Sequence, residues 1–327
     1  MKRIFIILLC ALVPAVSFAS TGIVDDEEYF IFAFFRHGEK TYIDHQQFFS
    51  GGAGVYLAWS KDGLNWTEIG NKKHFFKPKI GKTLRDPTVI RGPGGEFHLV
   101  WTTGWQEKTI GYASSKDLIN WENVRLLPVM KHEKSTLNSW APEIFYDDIN
   151  SEFLIFWSST IKGKFEDARD PGDSVYNHRI YYTSTADFDK FKKPALFYDP
   201  GFNCIDASIL KHNGKYLMFI KNEVAQPPAK YIMMTSGDSP AGPFEKLSPR
   251  ISPENVWAEG PYAIEIGGSV FVYYDMFRED RMGLVVSDDL VNWEDYTGRL
   301  VTPGHSKHGS FLKVTGAELQ KLLRAAE

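Results

Sequence analysis

The fold is decided by the segment Arg85–Trp121, RDPTVIRGPGGEFHLVWTTGWQEKTIGYASSKDLINW. Apolar, β-rich runs at Thr88–Ile90, Phe97–Trp101 and Ile110–Ala113 alternate with clusters of Gly, Pro, Asn and Asp. Short runs separated by such turn residues are typical of antiparallel strands. The segment therefore predicts a meander of four strands that ends at about Leu127.

The end of this segment recurs along the chain. Asp117–Trp121 has close copies at Asp62–Trp66 and Asp289–Trp293, and weaker copies at Asp187–Phe191 and Ser239–Phe244. Their closing aromatic residues follow one another at intervals of 55, 70, 53 and 49 residues. Four-stranded units with a period near 50 residues indicate a β-propeller.

The inner strands of these units indicate how the ring closes. The N-terminal unit has predicted strands around Tyr29–Phe35, Val55–Trp59 and Trp66–Ile69, but it has no equivalent of Asp86–Ile90. A lone strand of that inner type, Lys307–Lys313, follows the last unit. We expect an all-β, five-bladed β-propeller in which this C-terminal strand pairs with the N-terminal blade, because closure protects the sheet edges.

The first residues predict an export signal. Basic residues at positions 2 and 3 precede the apolar run Ile4–Val16, and Ser17–Ala19 fits a small-x-small cleavage site. We expect residues 1–19 to be a signal peptide and residues 20–327 to be one propeller domain, either secreted or periplasmic. A surface lipoprotein attached at Cys10 is the weaker alternative. The apolar run is too short to span a membrane.

Charge and cysteine content limit the partners and the covalent structure. The formal net charge is −4, and loss of Lys2 and Arg3 with the signal peptide would make it −6. This disfavours nucleic acid and anionic membranes as partners. Cys204 would then be the sole cysteine, so that no intrachain disulfide is possible. The oligomeric state is left open.

Aligning the five inner strands brings four polar residues and one alanine to one equivalent position. The aligned residues are Asp86, Ala141, Asp206, Glu259 and His308. Each comes just before the apolar part of a strand that lines the central channel. Each carboxylate alone would be an ordinary turn or surface residue. Three carboxylates at one mouth of a channel are costly, since like charges and desolvation both oppose ionisation. Their recurrence therefore indicates a site.

Carboxylates in this arrangement suit the hydrolysis of a glycoside. Two of them across a sugar provide a base and an acid. A third carboxylate near the acid raises the pKa of that acid and keeps it protonated at the working pH. Asp86, Asp206 and Glu259 supply such a set.

Four segments, taken together and in order, resemble the family 43 glycoside hydrolases over nearly the whole chain after residue 19. These segments are Arg85–Pro87, Trp140–Glu143, Ile205–Ser208 and Glu259–Pro261. One departure from the family pattern is Ala207, where a proline usually follows the aspartate.

The resemblance implies a catalytic domain and assigns its roles. Asp86 would be the general base that activates water, Asp206 would tune and orient the acid, and Glu259 would be the general acid. The implied enzyme is a secreted, inverting glycosidase of plant-type polysaccharides or oligosaccharides. Arabinofuranosyl or xylosyl linkages are the expected targets.

Six further residues are candidates for contact with the carbohydrate. They are Trp105, Trp140, Glu143, His178, Arg278 and His308. The two tryptophans are suited to stacking on a sugar face. Glu143 falls two positions beyond the aligned carboxylates, opposite Thr88, which favours a supporting role.

The expected chemistry requires no cofactor, and we assign no metal ligand. In relatives, a histidine near the final inner strand helps to hold a water molecule or a metal ion in the channel. Calcium or ordered water near His308 is therefore kept as an alternative, although a hard cation needs several oxygen ligands.

Two other function classes remain open. A carbohydrate-binding propeller without catalysis would have no need of three carboxylates. A retaining fructosidase-type enzyme of the related five-bladed clan would share the Arg-Asp-Pro triplet. Those enzymes carry an Asn-Asp-Pro-Asn motif before that triplet and a Glu-Cys acid after it, and this chain has neither. The sugar, and endo or exo action, are left open.

Overall fold

Antiparallel sheets make up nearly all of the computed structural model, which describes residues 22–37, 40–43, 46–49 and 54–327. The predicted signal peptide lies outside the described residues. In chain order the strands are β1 (Glu28–Phe34), β2 (Lys40–Ile43), β3 (Gln46–Phe49), β4 (Tyr56–Ser60), β5 (Thr67–Glu68), β6 (Arg85–Arg91), β7 (Phe97–Thr102), β8 (Ile110–Ser115), β9 (Trp121–Leu127), β10 (Trp140–Asp147), β11 (Glu152–Ser159), β12 (Arg179–Thr185), β13 (Ala195–Tyr198), β14 (Cys204–His212), β15 (Lys215–Asn222), β16 (Tyr231–Gly237), β17 (Ala258–Ile266), β18 (Ser269–Met276), β19 (Arg281–Ser287), β20 (Glu294–Asp295) and β21 (Gly309–Thr315).

Five of the sheets are the blades of a propeller. From the inner to the outer edge, blade one is β21-β1-β4-β5, blade two is β6-β7-β8-β9, blade three is β10-β11-β12-β13, blade four is β14-β15-β16 and blade five is β17-β18-β19-β20. The inner strands contact one another in a closed cycle, β21 to β6, β10, β14, β17 and back to β21. The predicted five-bladed fold is confirmed. Blade four differs from the four-stranded template, because a single bridge between Gly237 and Phe244 stands in place of its outer strand.

The ring closes as the sequence predicts, between the two ends of the chain. β21 pairs with β1 in an antiparallel register that runs from Phe34 opposite Gly309 to Glu28 opposite Thr315. Phe311 on β21 stacks on Phe32 of β1, with ring centroids 4.3 Å apart. Full burial of one such side chain is worth about 1.5–3 kcal/mol. Closure therefore adds apolar packing to the ladder hydrogen bonds.

The repeated Asp segments form one kind of turn. In blade two, the Asp117 carboxylate accepts hydrogen bonds from the backbone N–H groups of Ile119 and Asn120, and Ser115 Oγ accepts from Leu118 N–H. Leu118 adopts a left-handed backbone with φ 62°. The same pattern of hydrogen bonds recurs at Asp62, Asp187 and Asp289. Side-chain oxygens that accept from the backbone two and three residues later favour such turns over continued strands. The sequence repeat is therefore a repeated strand connection.

A helix follows the last strand. α1 (Gly316–Ala326) begins with a capping box in which Thr315 Oγ1 accepts from Glu318 N–H and the Glu318 side chain accepts from Thr315 N–H. Leu319 and Leu322 are buried against blades one and two. No helix among the described residues is long and apolar enough to cross a membrane.

The central channel has two unlike ends. The polar residues aligned above lie where the inner strands begin. At the other end, about three to five residues further along each strand, lies a cavity of about 530 Å³ lined by all five inner strands. Its apolar lining includes Val89, Ile144, Ile209 and Leu312, and its rim carries ion-paired side chains such as Arg91 with Glu318. Groups that could perform chemistry are therefore concentrated at the first end.

Candidate active site

Four of the five inner strands begin with a β-bulge. The ladder register shifts between Arg85 and Thr88, and it shifts in the same way in β10, β14 and β17. In each bulge the second residue has a left-handed backbone: Asp86 (φ 51°), Ala141 (φ 46°), Asp206 (φ 56°) and Gly260 (φ 57°). A proline follows three of these residues and cannot donate to the ladder, which suits a break in strand pairing. The bulges therefore determine how the side chains of the site residues are oriented at the mouth of the ring.

The bulges correct the sequence alignment of blade five. Gly260, and not Glu259, is the equivalent of Asp86 and Asp206, so that Glu259 holds the position of Arg85. A Cβ atom on Gly260 would lie only 2.4 Å from Cγ of His308, which leaves room for glycine alone. The carboxylate of this blade therefore comes from the preceding residue. The sequence contains a signal for this correction. The prolines that follow Asp86, Ala141 and Gly260 occupy one equivalent position only when Gly260 is aligned with Asp86.

Asp86 is held in its ionised form by its neighbours. Thr102 Oγ1 accepts a hydrogen bond from Ala141 N–H at 2.8 Å and donates one to Asp86 Oδ2 at 2.7 Å. Nδ1 of His308 lies 3.5 Å from Oδ1. Burial opposes the charge, but the hydrogen bond with His308 and the charge of Arg85 leave the pKa of Asp86 below its usual value. Asp86 is thus oriented as a proton acceptor.

His308 completes the ring of aligned residues from blade one. Its side chain is almost fully buried. Burial opposes protonation, yet the contact with Asp86 and the charges of Asp206 and Glu143 raise the pKa of His308 to about 9. The imidazole is therefore a cation at neutral pH, between Asp86 of blade two and Glu259 of blade five.

Asp206 lies beside the residue that follows Glu259. Gly260 N–H donates to Asp206 Oδ2 at 2.9 Å, and Asp206 N–H donates to Ser158 Oγ at 3.1 Å. Burial raises the pKa of Asp206 to about 6, and the charge of Glu259 adds to the rise. This carboxyl group therefore holds a proton in weakly acidic solution.

Glu259 is paired with a lysine that the sequence analysis missed. Lys221 donates to Glu259 Oε2 at 2.8 Å, and Trp257 Nε1–H donates to the same oxygen at 3.2 Å. Burial raises the pKa of Glu259, but the charge and hydrogen bond of Lys221 outweigh burial and lower it. The expected rise in the pKa of this acid is not found; among the three carboxylates the rise falls on Asp206 instead.

The position of Lys221 also repeats around the ring. In each of the four blades that have a bulge, the residue of the second strand opposite the start of the bulge is polar and buried: Thr102, Ser158, Lys221 and Asp275. Ser158, Lys221 and Asp275 each contact the beginning of the next inner strand, and Thr102 contacts both its own and the next. In the sequence, these four residues could have been found as polar residues near the end of an apolar second strand.

Glu143 is buried below the mouth of the site. It stands in the bulge at the position of Thr88, as the sequence alignment predicts. It is 3% exposed, and its Oε1 has no hydrogen-bond partner among the described residues. Burial raises the pKa of Glu143 to about 8. At neutral pH the group is thus mainly uncharged.

Aromatic side chains form a wall beside blades two and three. Trp105 is 49% exposed, and its ring centroid lies 5.7 Å from that of Trp140. Trp140 also packs on Tyr176 and His178. His178 is 1% exposed and, through burial, has a pKa lowered to about 4, so that it supports Trp140 from behind as a neutral ring. Tyr176 belongs to the long connection between β11 and β12.

Arginines border the site on both sides of β21. The guanidinium of Arg278 is exposed and stacks on Trp257, 4.6 Å from a ring centroid, next to Glu259. The guanidinium of Arg85 lies between the rings of Phe35 and Trp105, 4.7 Å from each. Both arginines can bind hydroxyl groups at the rim.

Calcium or ordered water near His308 stays a prediction. A hard cation requires several oxygen ligands, and no group of three or more His, Cys, Asp or Glu side chains in the described part of the chain is arranged to hold a metal. His308 is itself cationic at neutral pH, which disfavours a second cation beside it. We assign no step to a metal.

The comparison with protein families agrees with this geometry. Residues 30–320 match the family described as "Probable glycosyl hydrolase domain", which is related to glycosyl hydrolase family 43. The chain belongs to this family. The resemblance found from four short segments is confirmed at the level of the family.

One curated relative and one similar solved structure are both named as alpha-L-arabinofuranosidases. An alpha-L-arabinofuranosidase of Bifidobacterium longum subsp. longum is 26% identical over 278 residues, an alignment that covers 73% of this chain and 24% of the relative. The chain therefore spans about a quarter of that curated protein. A solved alpha-L-arabinofuranosidase of Clostridium thermocellum has a TM-score of 0.56 at 15% identity, covering 87% of this chain and 93% of its own.

A second solved structure has another specificity. It is a β-1,3-galactosidase with galactodeoxynojirimycin, with a TM-score of 0.51 at 12% identity, covering 68% of this chain and 79% of its own. At these identities the two solved structures support the fold alone.

Proposed function

We propose that this domain hydrolyses glycosidic bonds with inversion, with Asp86 as the base, Glu259 as the acid and Asp206 as the residue that tunes the acid. The main support is their order around the ring. His308 on blade one separates Asp86 on blade two from Glu259 on blade five, whereas Asp206 touches Gly260 directly. Inversion needs about 6.5–9.5 Å between the base and acid carboxyl groups, so that a water molecule fits beside the sugar.

The base step follows from the contacts of Asp86. Its carboxylate accepts a proton from a water molecule while the water oxygen bonds to the anomeric carbon. Thr102 fixes Oδ2 by its hydrogen bond, and His308 beside Oδ1 keeps the group ionised. Oriented, charge-assisted contacts of this kind hold a base in the productive geometry.

The acid step requires one proton on the pair formed by Asp206 and Glu259. Glu259 donates that proton to the glycosidic oxygen as the bond from the anomeric carbon to that oxygen breaks. The products are a sugar of inverted configuration and a free alcohol, with Asp86 protonated and Glu259 ionised. Transfer of one proton through solvent from Asp86 to Glu259 resets the site.

Arabinofuranosyl linkages are the first substrates to test, because a similar curated protein bears the name of alpha-L-arabinofuranosidase. Xylosyl linkages remain the next candidates from the sequence resemblance. Trp105 and Trp140 offer aromatic surface for a sugar face. We further propose export of the protein to the periplasm or the medium, on the strength of the apolar run Ile4–Val16 and the Ser17–Ala19 site.

Activity and stereochemistry can be tested together. Aryl α-L-arabinofuranosides, β-xylosides and β-galactosides would be incubated with the wild-type protein and with Asp86→Asn, and proton NMR would follow the first anomer formed. We expect an inverted first product from the wild type and none from the variant. A retained first anomer would contradict inversion. Binding of oligosaccharides without cleavage of any substrate would instead support a binding propeller.

A further inference from the structure

The two oxygens of the Glu259 carboxyl group have different surroundings. Both hydrogen bonds to this group, from Lys221 and from Trp257, go to Oε2. Among the described residues, Oε1 accepts no hydrogen bond. Oε2 is thus anchored, and Oε1 is left for another partner.

Lys221 is built into the protein so that it stays charged. Its side chain is 1% exposed and forms ion pairs with Glu259 and with Glu223. Glu223 is held in turn by Lys230, whose Nζ lies 2.6 Å from Oε1. Burial opposes the charge on Lys221, but Glu259 and Glu223 raise its pKa well above the usual value.

Among the four blades that have a bulge, a positive charge at this position is found in blade four alone, since the equivalent residue of blade five is the acidic Asp275. The equivalent residues Thr102 and Ser158 are neutral, and they satisfy the backbone N–H groups of Ala141 and Asp206 on the next inner strand. Lys221 contacts a carboxylate at that place. A neutral hydroxyl would be sufficient for packing, so the lysine indicates a need for charge beside Glu259.

We propose that Lys221 is a positioning residue that anchors Oε2 of Glu259, so that Oε1 is the oxygen that donates the proton to the leaving group. The inference rests on the proposed hydrolysis. Because a cation beside a carboxyl group favours its ionised form, Lys221 also makes Glu259 a stronger acid. Glu223 limits this effect by sharing the ammonium group. Burial and the charge of Glu259 raise the pKa of the neighbouring Asp206 to about 6 and that of Asp275 to about 7.

Two substitutions should shift the proton affinity of Glu259 in opposite directions. Lys221→Met removes the cation, and we expect the titration midpoint of the pair to rise on the order of one pH unit. Glu223→Gln leaves Lys221 with Glu259 alone, and the midpoint should fall. Lys230→Met is the matched control, because its ammonium binds Glu223 and not Glu259. Its shift should be smaller than that of Lys221→Met.

The midpoint would be measured in two independent ways. One is the alkaline limb of kcat/KM for an aryl glycoside. The other is carbon-13 NMR of glutamate labelled at the carboxyl carbon, with Glu259 assigned by its loss in Glu259→Gln. Loss of anchoring in Lys221→Met should also lower kcat for a poor leaving group about 10–100-fold, and Lys221→Arg should restore part of it.

The outcomes separate the inference from the proposed function. Opposite shifts of the NMR midpoint in Lys221→Met and Glu223→Gln support the inference, even if no glycoside is cleaved and the proposed hydrolysis fails. Unchanged midpoints, or shifts in the same direction, overturn it, whatever the activity. If Lys221→Met does not fold, the direction found for Glu223→Gln, which keeps Lys221 in place, decides the matter.

Discussion

The backbone of Gly260 lies against the imidazole of His308, on the side where any other residue would carry a Cβ atom. The left-handed backbone of Gly260, with φ 57°, is an independent obstacle to substitution. Together these two facts place Glu259 one residue earlier than the aspartates of blades two and four. They also lead to a prediction about stability.

Gly260→Ala should destabilise the protein and abolish activity. A left-handed alanine costs about 1–2 kcal/mol, and the clash with His308 adds about 1–3 kcal/mol of overpacking. Gly267→Ala is the control, because Gly267 has a similar φ of 61° but nothing within 4 Å of the added Cβ. Thermal melts should show a clearly larger loss for Gly260→Ala. Equal losses would mean that the contact with His308 is unimportant.

Glu259→Gln should impair hydrolysis according to the leaving group. Without a proton donor, natural linkages and aryl groups of high pKa should lose about 10²–10⁴-fold in rate. Activated aryl groups, which need little protonation, should lose far less. The measurement is kcat/KM over a series of aryl glycosides with leaving groups of different pKa. A loss of the same size across the series would remove Glu259 from the acid role.

The pH dependence should have an alkaline limb near pH 6. Activity needs one proton on the pair of Asp206 and Glu259, and the pKa of Asp206 is raised to about 6, so kcat/KM should fall as the pH rises through this value. On the acidic side, the lowered pKa of Asp86 should keep it ionised to a lower pH than an ordinary aspartate. Asp206→Asn removes a negative charge beside the acid and should move the alkaline limb to lower pH. A limb that stays in place would contradict the tuning role.

Glu143→Gln should stabilise the protein in alkaline solution. The pKa of Glu143 is raised from 4.5 to about 8, so between these values the folded state binds a proton that the unfolded state has lost. Stability therefore falls as the pH rises through this window, by an amount on the order of a few kcal/mol. Gln removes the dependence, so the melting temperature should rise at pH 8 and change little at pH 4. The exposed Glu294→Gln should show neither effect.

Reductant should leave the thermal stability unchanged. Cys204 is a free thiol and fully buried, and burial raises its pKa above the usual range. The native protein should therefore resist a thiol reagent that reacts after unfolding. Fast labelling of the native protein, or a lower melting temperature in reductant, would contradict this prediction.

Much of the fold could be predicted from local sequence. The Asp turns depend on hydrogen bonds within six residues, so each copy marks the connection between the third strand of a blade and its outermost strand. Closure also followed from the sequence, because β1 and β21 each lacked the partner that the repeat requires. Such features are carried by short segments and need no knowledge of distant contacts.

The electrostatics of the site could not be predicted in the same way. The pairing of Lys221 with Glu259 depends on the register of β14 against β15 and on the distance between two blades. A bulge changes which residue faces a neighbour by one position, and this is what displaced Glu259 in the alignment. The support of Trp140 by His178 depends on the path of a long connection.

Ring closure has a consequence for the order of folding. β21 follows every other strand of the propeller in the chain, and blade one stays incomplete until β21 reaches β1. His308 immediately precedes β21 and contacts Asp86, so the site is completed only by that last and most distant pairing. Contacts between distant segments are slow to form. In a refolding experiment, hydrolytic activity should therefore return with the slowest phase, after most of the β-structure is already in place.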